Sequence, residues 1–236
     1  LNRPTHSIFP QKCPAAPGPV QLRRAARRDV DLRVDPDDRI AIVGTNGQGK
    51  TTLVKSIANR LPMMAGERKA PGSIKIGYFS QDQLDELSAG DTALDHVRRL
   101  RPTATEGQVR SITATIGLNR DKAETKVEKL SGGEKVRLLL GLMSSAAPHI
   151  LILDEPTSGL DSTTSMDLLK GLRASADAGC NVVVVLHQPS FPLYCLFHDV
   201  LLLGRGGQTV YLGPSDEALA YFESLGFVMP ELYNPA

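Results

Sequence analysis

Apolar residues along this chain fall into two patterns. Short unbroken runs, RIAIV at 39–43, IKIGYFS at 74–80, HILIL at 149–153 and NVVVVL at 181–186, read as strands. Several are rich in β-branched residues, as in parallel strands covered on both faces. Between them the spacing becomes helical. KTTLVKSIANRL predicts a helix over 50–61, with Leu53, Ile57 and Leu61 on one face and Pro62 as its stop. The more polar stretch 82–130 contains two helical segments, 92–101 and 108–118, and another helix-rich stretch begins at Ser131. A small helical lobe over about 82–145, inserted in the core, is expected. DVLLLG and TVYLG flank GRGGQ, a hairpin signal. Ser215 is expected to cap an acidic first turn, with the helix running to Gly226. Strands alternating with helices predict an α/β core with a mostly parallel sheet.

The first 28 residues differ from this. They contain five prolines and no acid. Their acid-poor, Arg-containing composition weakly resembles a transit peptide, but a poorly packed lead-in is the simpler expectation, with the domain proper over 29–236. With 236 residues, 41% of them hydrophobic, there is enough chain for one large core. Lys and Arg total 27 against 26 Asp and Glu, which argues against a strongly basic nucleic-acid binder. No apolar run approaches the roughly 18–20 residues of a membrane span. Cys13, Cys180 and Cys195 lie far apart with no CxxC, so neither a disulfide framework nor a zinc site is indicated. The chain opens on Leu1, has its first methionine at Met63 and closes on NPA, so a piece of a longer protein is expected.

The candidate chemistry begins at GTNGQGKT, residues 44–51, which fits G-x-x-x-x-G-K-[ST] between a strand and a helix. Gly44, Gly47 and Gly49 allow the backbone N–H groups to curl around phosphate oxygens, with Thr45, Asn46, Gln48 and Thr52 completing the loop and first turn. Lys50 is placed to reach the β- and γ-phosphates and Thr51 to ligate Mg²⁺. The strand ILIL then runs into Asp154 and Glu155. Open α/β sheets place ligands at the strands' carboxyl edge, so Asp154 is assigned to the metal and Glu155 to the attacking water.

LSGGE supplies a third element. Ser131 and Glu134 form a capping box. Gly132 and Gly133 each cost the helix up to about 1 kcal/mol, which makes sense if a ligand must approach the backbone there. A serine hydroxyl and a bare helix N-terminus would form a second phosphate-binding surface.

In order, the phosphate loop, LSGGE, ILILDEP, SGLD and VVVVLHQ resemble the motifs of ABC-type ATPases over about residues 29–236. The resemblance implies a P-loop NTPase core with a partial antiparallel β region. It also implies ATP and Mg²⁺ as ligands, and a head-to-tail sandwich with a second ATPase domain whose SGGE helix covers the ATP. By position, Gln81 matches the glutamine that senses Mg²⁺ and the lytic water. Asp161 matches the aspartate at the dimer interface, and His187 the histidine near the γ-phosphate. SMC-like ATPases share some motifs but place a long coiled coil between phosphate loop and acids, where this chain has only about a hundred residues.

Two groups within that family are resembled. DRIAIVGTNGQGKTTL, GYFSQDQLDEL and LSGGEKVRLLLGLM, within 38–157, are similar to ABC-F ATPases that act on ribosomes. SGLDSTT, HQPS, LLLGRGGQTVYLGP and YFESLGF, within 158–236, are similar to ABCG exporters. The change falls near Thr157–Ser158. The ABCG resemblance implies a domain on the cytosolic side of a membrane, joined to a transmembrane domain in the same full-length chain or a partner. The ABC-F alternative implies the ribosome as partner, and a nucleotide-binding module without turnover is disfavoured by Glu155 and His187. Residues 20–38 hold no aromatic side chain. The family's adenine-stacking residue thus has no counterpart there, and weakened ATP affinity or base selectivity is expected.

Overall fold

The structure, a computed structural model, describes residues 14, 16–25, 30–35, 38–63, 65–177 and 179–227, with only the backbone of residues 23–25. In chain order the strands are β1 (Val20–Ala25), β2 (Val30–Val34), β3 (Arg39–Val43), β4 (Glu67–Lys69), β5 (Ile76–Ser80), β6 (Ile150–Asp154), β7 (Asn181–Leu186), β8 (Asp199–Leu203) and β9 (Thr209–Pro214). The helices are α1 (Lys50–Ile57), α2 (Ala93–Leu100), α3 (Glu106–Thr115), α4 (Arg120–Ala123), α5 (Gly132–Ser144), α6 (Ser162–Asp177), α7 (Phe191–Tyr194) and α8 (Ala218–Ser224).

Six strands form the main sheet in the order β5-β6-β7-β3-β8-β9. All pairs are parallel except the β8–β9 hairpin. A separate antiparallel sheet has the order β2-β1-β4. This is the mixed α/β architecture of a P-loop NTPase, with mostly parallel strands and a small antiparallel sheet. No helix among the described residues is long and apolar enough to cross a membrane.

The unbroken apolar runs are explained by cover on both faces. One face carries Ile40 and Ile42 of β3, Ile150 and Ile152 of β6, and Val183 and Val185 of β7. It packs with Leu53, Val54 and Ile57 of α1 and with the antiparallel sheet. The opposite face carries Leu151, Leu153, Val182 and Val184, and packs on Val136 and Leu140 of α5 and Leu168, Leu169 and Leu172 of α6. Alternate side chains thus serve separate layers, as the two-residue period of a strand requires.

The helical lobe has its own small cores. Ile116, Leu118, Val127, Leu130 and Leu138 form one, and Leu94, Val97, Val109 and Ala123 another. Thr92, Thr105 and Ser131 start α2, α3 and α5 with capping boxes. Helix α5 joins lobe to core, since Leu138 faces the first and Val136 and Leu140 the second.

Four local expectations need correction. Strand β1 lies inside the residues assigned to the lead-in, and buries Val20 and Leu22; residues 1–13, 15 and 26–29 lie outside the described part. Helix α1 ends at Ile57, not residue 61, because Asn59 turns left-handed with φ 58°. Strand β5 begins at Ile76, two residues later than the apolar run. Ser215 caps nothing: its hydroxyl donates to the Phe197 carbonyl at 2.7 Å, and Glu217 stands at the N-cap of α8. The closing NPA also lies outside the described residues.

Phe79 is 1% exposed and packs against the α5–α6 layer. Phe79→Ala is expected to destabilise the chain by about 3–5 kcal/mol, measured by urea denaturation.

Candidate functional site

The parallel register brings four chain segments to one edge of the sheet. Strand β7 lies between β6 and β3, pairing Asp154 with Val185 and Val43 with Leu186. On the far side of β6, Ser80 pairs with Asp154. The phosphate loop after β3, Glu155 after β6, His187 after β7 and Gln81 after β5 therefore leave the carboxyl edge together. Gln81 and His187 are exposed and Glu155 is half-buried.

The loop is held tightly from below. A side chain on Gly44 would place its Cβ 2.5 Å from the Leu203 carbonyl oxygen, so β8 leaves no room for one. Gly49, at φ 84°, ends the loop as the N-cap of α1 with no side-chain hydrogen bond. The first N–H groups of that helix are thus not covered by a cap side chain, the arrangement that suits an anion. Lys50 is only 4% exposed, and its ammonium donates to the carbonyls of Gly44 at 2.7 Å and Thr45 at 3.0 Å. Burial lowers its pKa, while the nearby Glu155 and Asp154 carboxylates oppose that shift.

Gln48 makes a contact that the motif did not reveal. Its amide donates to Thr45 Oγ1 at 3.1 Å, and its Oε1 accepts the Gly206 N–H at 2.7 Å. The turn between β8 and β9 is thereby tied to the phosphate loop. Thr45, Asn46, Gly47, Thr51 and Thr52 are exposed.

Asp154 is 7% exposed. Its Oδ1 accepts from the Thr51 hydroxyl at 3.1 Å and its Oδ2 from the Tyr78 hydroxyl at 3.0 Å. Burial and the adjacent Asp154 carboxylate raise the Tyr78 pKa far above the usual phenol range. Tyr78 belongs to no motif read from the sequence. The available signal was strand parity, because Tyr78, Ile152 and Asp154 share a sheet face. Glu155 follows with φ 52° and donates its N–H to Val185 O at 3.2 Å. A left-handed glutamate is strained, and here that backbone turns the chain away from the sheet as soon as Asp154 is placed.

The remaining predicted residues gather at the N-termini of α5 and α6. The Ser131 hydroxyl accepts the Glu134 N–H at 3.3 Å, and Glu134 Oε2 accepts the Ser131 N–H at 2.8 Å. Desolvation pulls the Glu134 pKa up, but the Ser131 N–H and Lys122 outweigh it, and the net shift is downward. Asp161 caps α6, accepting from Thr163 N, Thr164 N and Thr164 Oγ1 at 3.0, 2.9 and 2.6 Å. The Thr164 hydrogen bonds hold its pKa low. The glycines of LSGGE gain an internal reason here. A Cβ on Gly133 would lie 2.3 Å from Thr164 Cγ2, and one on Gly132 3.3 Å from Leu160 Cδ2. Gly133 is buried, so close packing on α6 accounts for it, whereas Gly132 and Ser131 remain exposed.

A phosphate loop, a buried acid bonded to the loop's threonine and a second acid beside it, on a mostly parallel sheet with a helical lobe, define a P-loop nucleotide-binding domain. The family model described as ABC transporter matches residues 27–158, more than half of the chain, and the one described as ABC-2 type transporter matches residues 187–236. The chain belongs to the ABC transporter family as an ATP-binding domain. It is 36% identical over 229 residues to "ABC transporter G family member 28" of Arabidopsis thaliana, covering 88% of this chain and 21% of that protein. It is 35% identical over 227 residues to "ABC transporter G family member 25" of Oryza sativa subsp. japonica, covering 86% and 22%. "Probable ATP-binding protein YheS" of Haemophilus influenzae is 40% identical over 159 residues, covering 67% and 24%. Both groups resembled by the sequence are therefore represented. The chain spans about a fifth to a quarter of the length of these relatives.

The packing at Gly133 is open to a direct test. Gly133→Ala is expected to destabilise by about 1–3 kcal/mol through overpacking, despite alanine's better helix propensity. Thr164→Ser removes the clashing methyl and keeps the hydroxyl on Asp161, so it should restore stability in the double variant. A double variant as unstable as Gly133→Ala alone would show that Thr164 is not the obstacle.

Proposed function

We propose that this chain is the ATP-hydrolysing domain of an ABCG-like exporter, acting on the cytosolic side of a membrane with membrane helices supplied by a full-length chain or a partner. The catalytic part of this reading rests on the Thr51–Asp154 hydrogen bond of 3.1 Å beneath the phosphate loop, with Glu155 next in sequence. The exporter part is supported by alignments to G family proteins over 88% and 86% of the chain.

The donors at the loop suit Mg²⁺. One hydroxyl and one carboxylate are oxygen ligands, and Mg²⁺ commonly combines one or two such groups with waters and substrate phosphates. Among the described residues no cluster of three or more His, Cys, Asp and Glu side chains is available to hold a metal alone. Thr51 and Asp154 would hold the ion, with Gln81 reaching in from the end of β5. Bound there, Mg²⁺ supplies neutralisation of charge on the β- and γ-phosphate oxygens. Gly44, Thr45, Asn46, Gly47, Gln48 and Gly49 wrap the phosphates with Thr52 in the first turn, and Lys50 adds its positive charge. Glu155 orients a water and accepts its proton as the water oxygen bonds to the γ-phosphorus. The bond from that phosphorus to the β–γ bridging oxygen breaks, and ADP leaves with the electron pair. His187 donates a hydrogen bond to the γ-phosphate.

The second group of residues serves a partner domain. Ser131, Gly132, Gly133 and Glu134 of one domain cover the ATP held by the other, and Asp161 shapes the turn at the interface. Lack of an aromatic side chain in residues 20–38 removes a stacking contact worth roughly 1–3 kcal/mol per base, so ATP affinity or base selectivity is weakened. A second reading, a soluble ATPase acting on ribosomes, is favoured by 40% identity to YheS over two-thirds of the chain.

Glu155→Gln is expected to lower phosphate release on the order of 10²-fold or more while leaving ATP binding intact, and to trap an ATP-bound dimer visible by gel filtration. Hydrolysis at the parent rate would remove Glu155 from the proton-accepting role. Ser131→Arg is expected to abolish hydrolysis by blocking the ATP of the opposite domain, and a monomer fully active at high dilution would overturn the sandwich. In ribosome co-sedimentation the chain should stay in the supernatant; ATP-dependent pelleting with ribosomes would favour the second reading.

A further inference from the structure

We propose that Tyr78 is a positioning residue for the Asp154 carboxylate, holding it in the orientation that Mg²⁺ needs. The inference rests on the reading of Asp154 as a metal ligand. In the β5–β6 ladder Tyr78 pairs with Ile152 and Ser80 with Asp154. The two-residue period then sends Tyr78, Ile152 and Asp154 to the α1 side of the sheet. Tyr78 is 3% exposed and sits in the apolar layer with Ile57 and Ile152. A buried phenol hydroxyl requires a partner, and this one donates to Asp154 Oδ2 at 3.0 Å.

Thr51 donates to the other oxygen at 3.1 Å. The two oxygens therefore have separate donors from separate elements, α1 and β5. The terminal torsion of an aspartate is otherwise broad, and two opposed hydrogen bonds fix the carboxylate plane. Arg60 lies over the Tyr78 ring, its guanidinium carbon 4.8 Å from the centroid, which closes the ring's outer face. The ring is thus packed, and its hydroxyl has one direction in which to donate. Removing that hydroxyl leaves Asp154 with Thr51 as its one remaining side-chain donor of the two, and the plane free to turn. Loss of such supporting contacts around a metal ligand typically weakens metal binding by about 10–100-fold.

Tyr78→Phe keeps the ring and deletes the hydroxyl. Mn²⁺ binding to the ADP-loaded 236-residue chain, followed by electron paramagnetic resonance, is expected to weaken by about tenfold or more. Fluorescent ADP binding in EDTA should stay unchanged. The Mg²⁺ concentration for half-maximal hydrolysis should rise similarly, with kcat recovered at saturating Mg²⁺. Ile152→Val, in the same apolar layer, serves as a control that lowers stability without moving Mn²⁺ affinity. Tyr78→Leu is the second variant should the first fail to fold. Parent-like Mn²⁺ affinity in either folded variant would overturn the proposal and leave Tyr78 as core packing. A parent chain whose ADP complex takes no Mn²⁺ would instead overturn the reading of Asp154 as a metal ligand, and this inference with it.

Discussion

A carboxylate that is only 7% exposed at the end of an apolar strand constrains much of this structure. An ion in such surroundings is tolerated when hydrogen-bond donors replace the water it has lost. For Asp154 those donors are hydroxyls on α1 and β5, so both elements must be held in register with β6. A one-residue slip of β6 would send Asp154 to the opposite face, among side chains such as Leu151 and Leu153 that pack on α5 and α6. The same register sets the phosphate loop beside β7 and aligns Glu155, Gln81 and His187 along one edge. The buried apolar ladder and the edge that carries the candidate site are thus two consequences of one pairing scheme.

The α5–α6 junction shows how a motif can satisfy two demands. Gly133 is explained by contact inside the chain, since Thr164 occupies the space where its side chain would project. Thr164 is itself fixed by Asp161. Ser131 and Gly132 remain on the surface, next to the helix N-terminus. The buried glycine lets the two helix starts approach, and the exposed pair is the face that the proposed sandwich would turn toward a partner's nucleotide. Packing inside the chain thus constrains Gly133, and the exposed part of the proposed sandwich contact falls on Ser131 and Gly132.

Much of the layered core was legible because its strands are short, aliphatic and separated by helical spacing. The phosphate loop and the acid pair were legible because their residue types have few other uses in that order. Contacts between distant segments were not. Tyr78 looked like an ordinary strand aromatic, and its value depends on a partner 76 residues away. Gln48 was legible as part of the phosphate loop, but its tie to the β8–β9 turn, whose Gly206 N–H donates to it, was not. Strand β1 was hidden in a proline-rich lead-in, since its pairing partners β2 and β4 define it more than its own composition does. Ser215 failed as a cap for a related reason. Its preference for helix starts lost to a carbonyl, that of Phe197, brought close by the fold.

The change of sequence pattern near Thr157–Ser158 can be judged by what crosses it. Leu151 and Leu153 of β6 precede it; Leu168, Leu169 and Leu172 of α6 and Val184 of β7 follow it; all lie in one hydrophobic cluster. Helix α5, from the part similar to ABC-F proteins, meets α6, from the part similar to ABCG proteins, so closely that Gly133 has no room for a methyl group. The ladder crosses it too, with Asp154 paired to Val185. Two sequence patterns therefore share one core and one sheet edge. The phosphate loop, Asp154 and Glu155 come from the first part, while Asp161 and His187 come from the second. Neither part alone carries the full set proposed for hydrolysis, so the proposed reaction requires both parts in one folded unit.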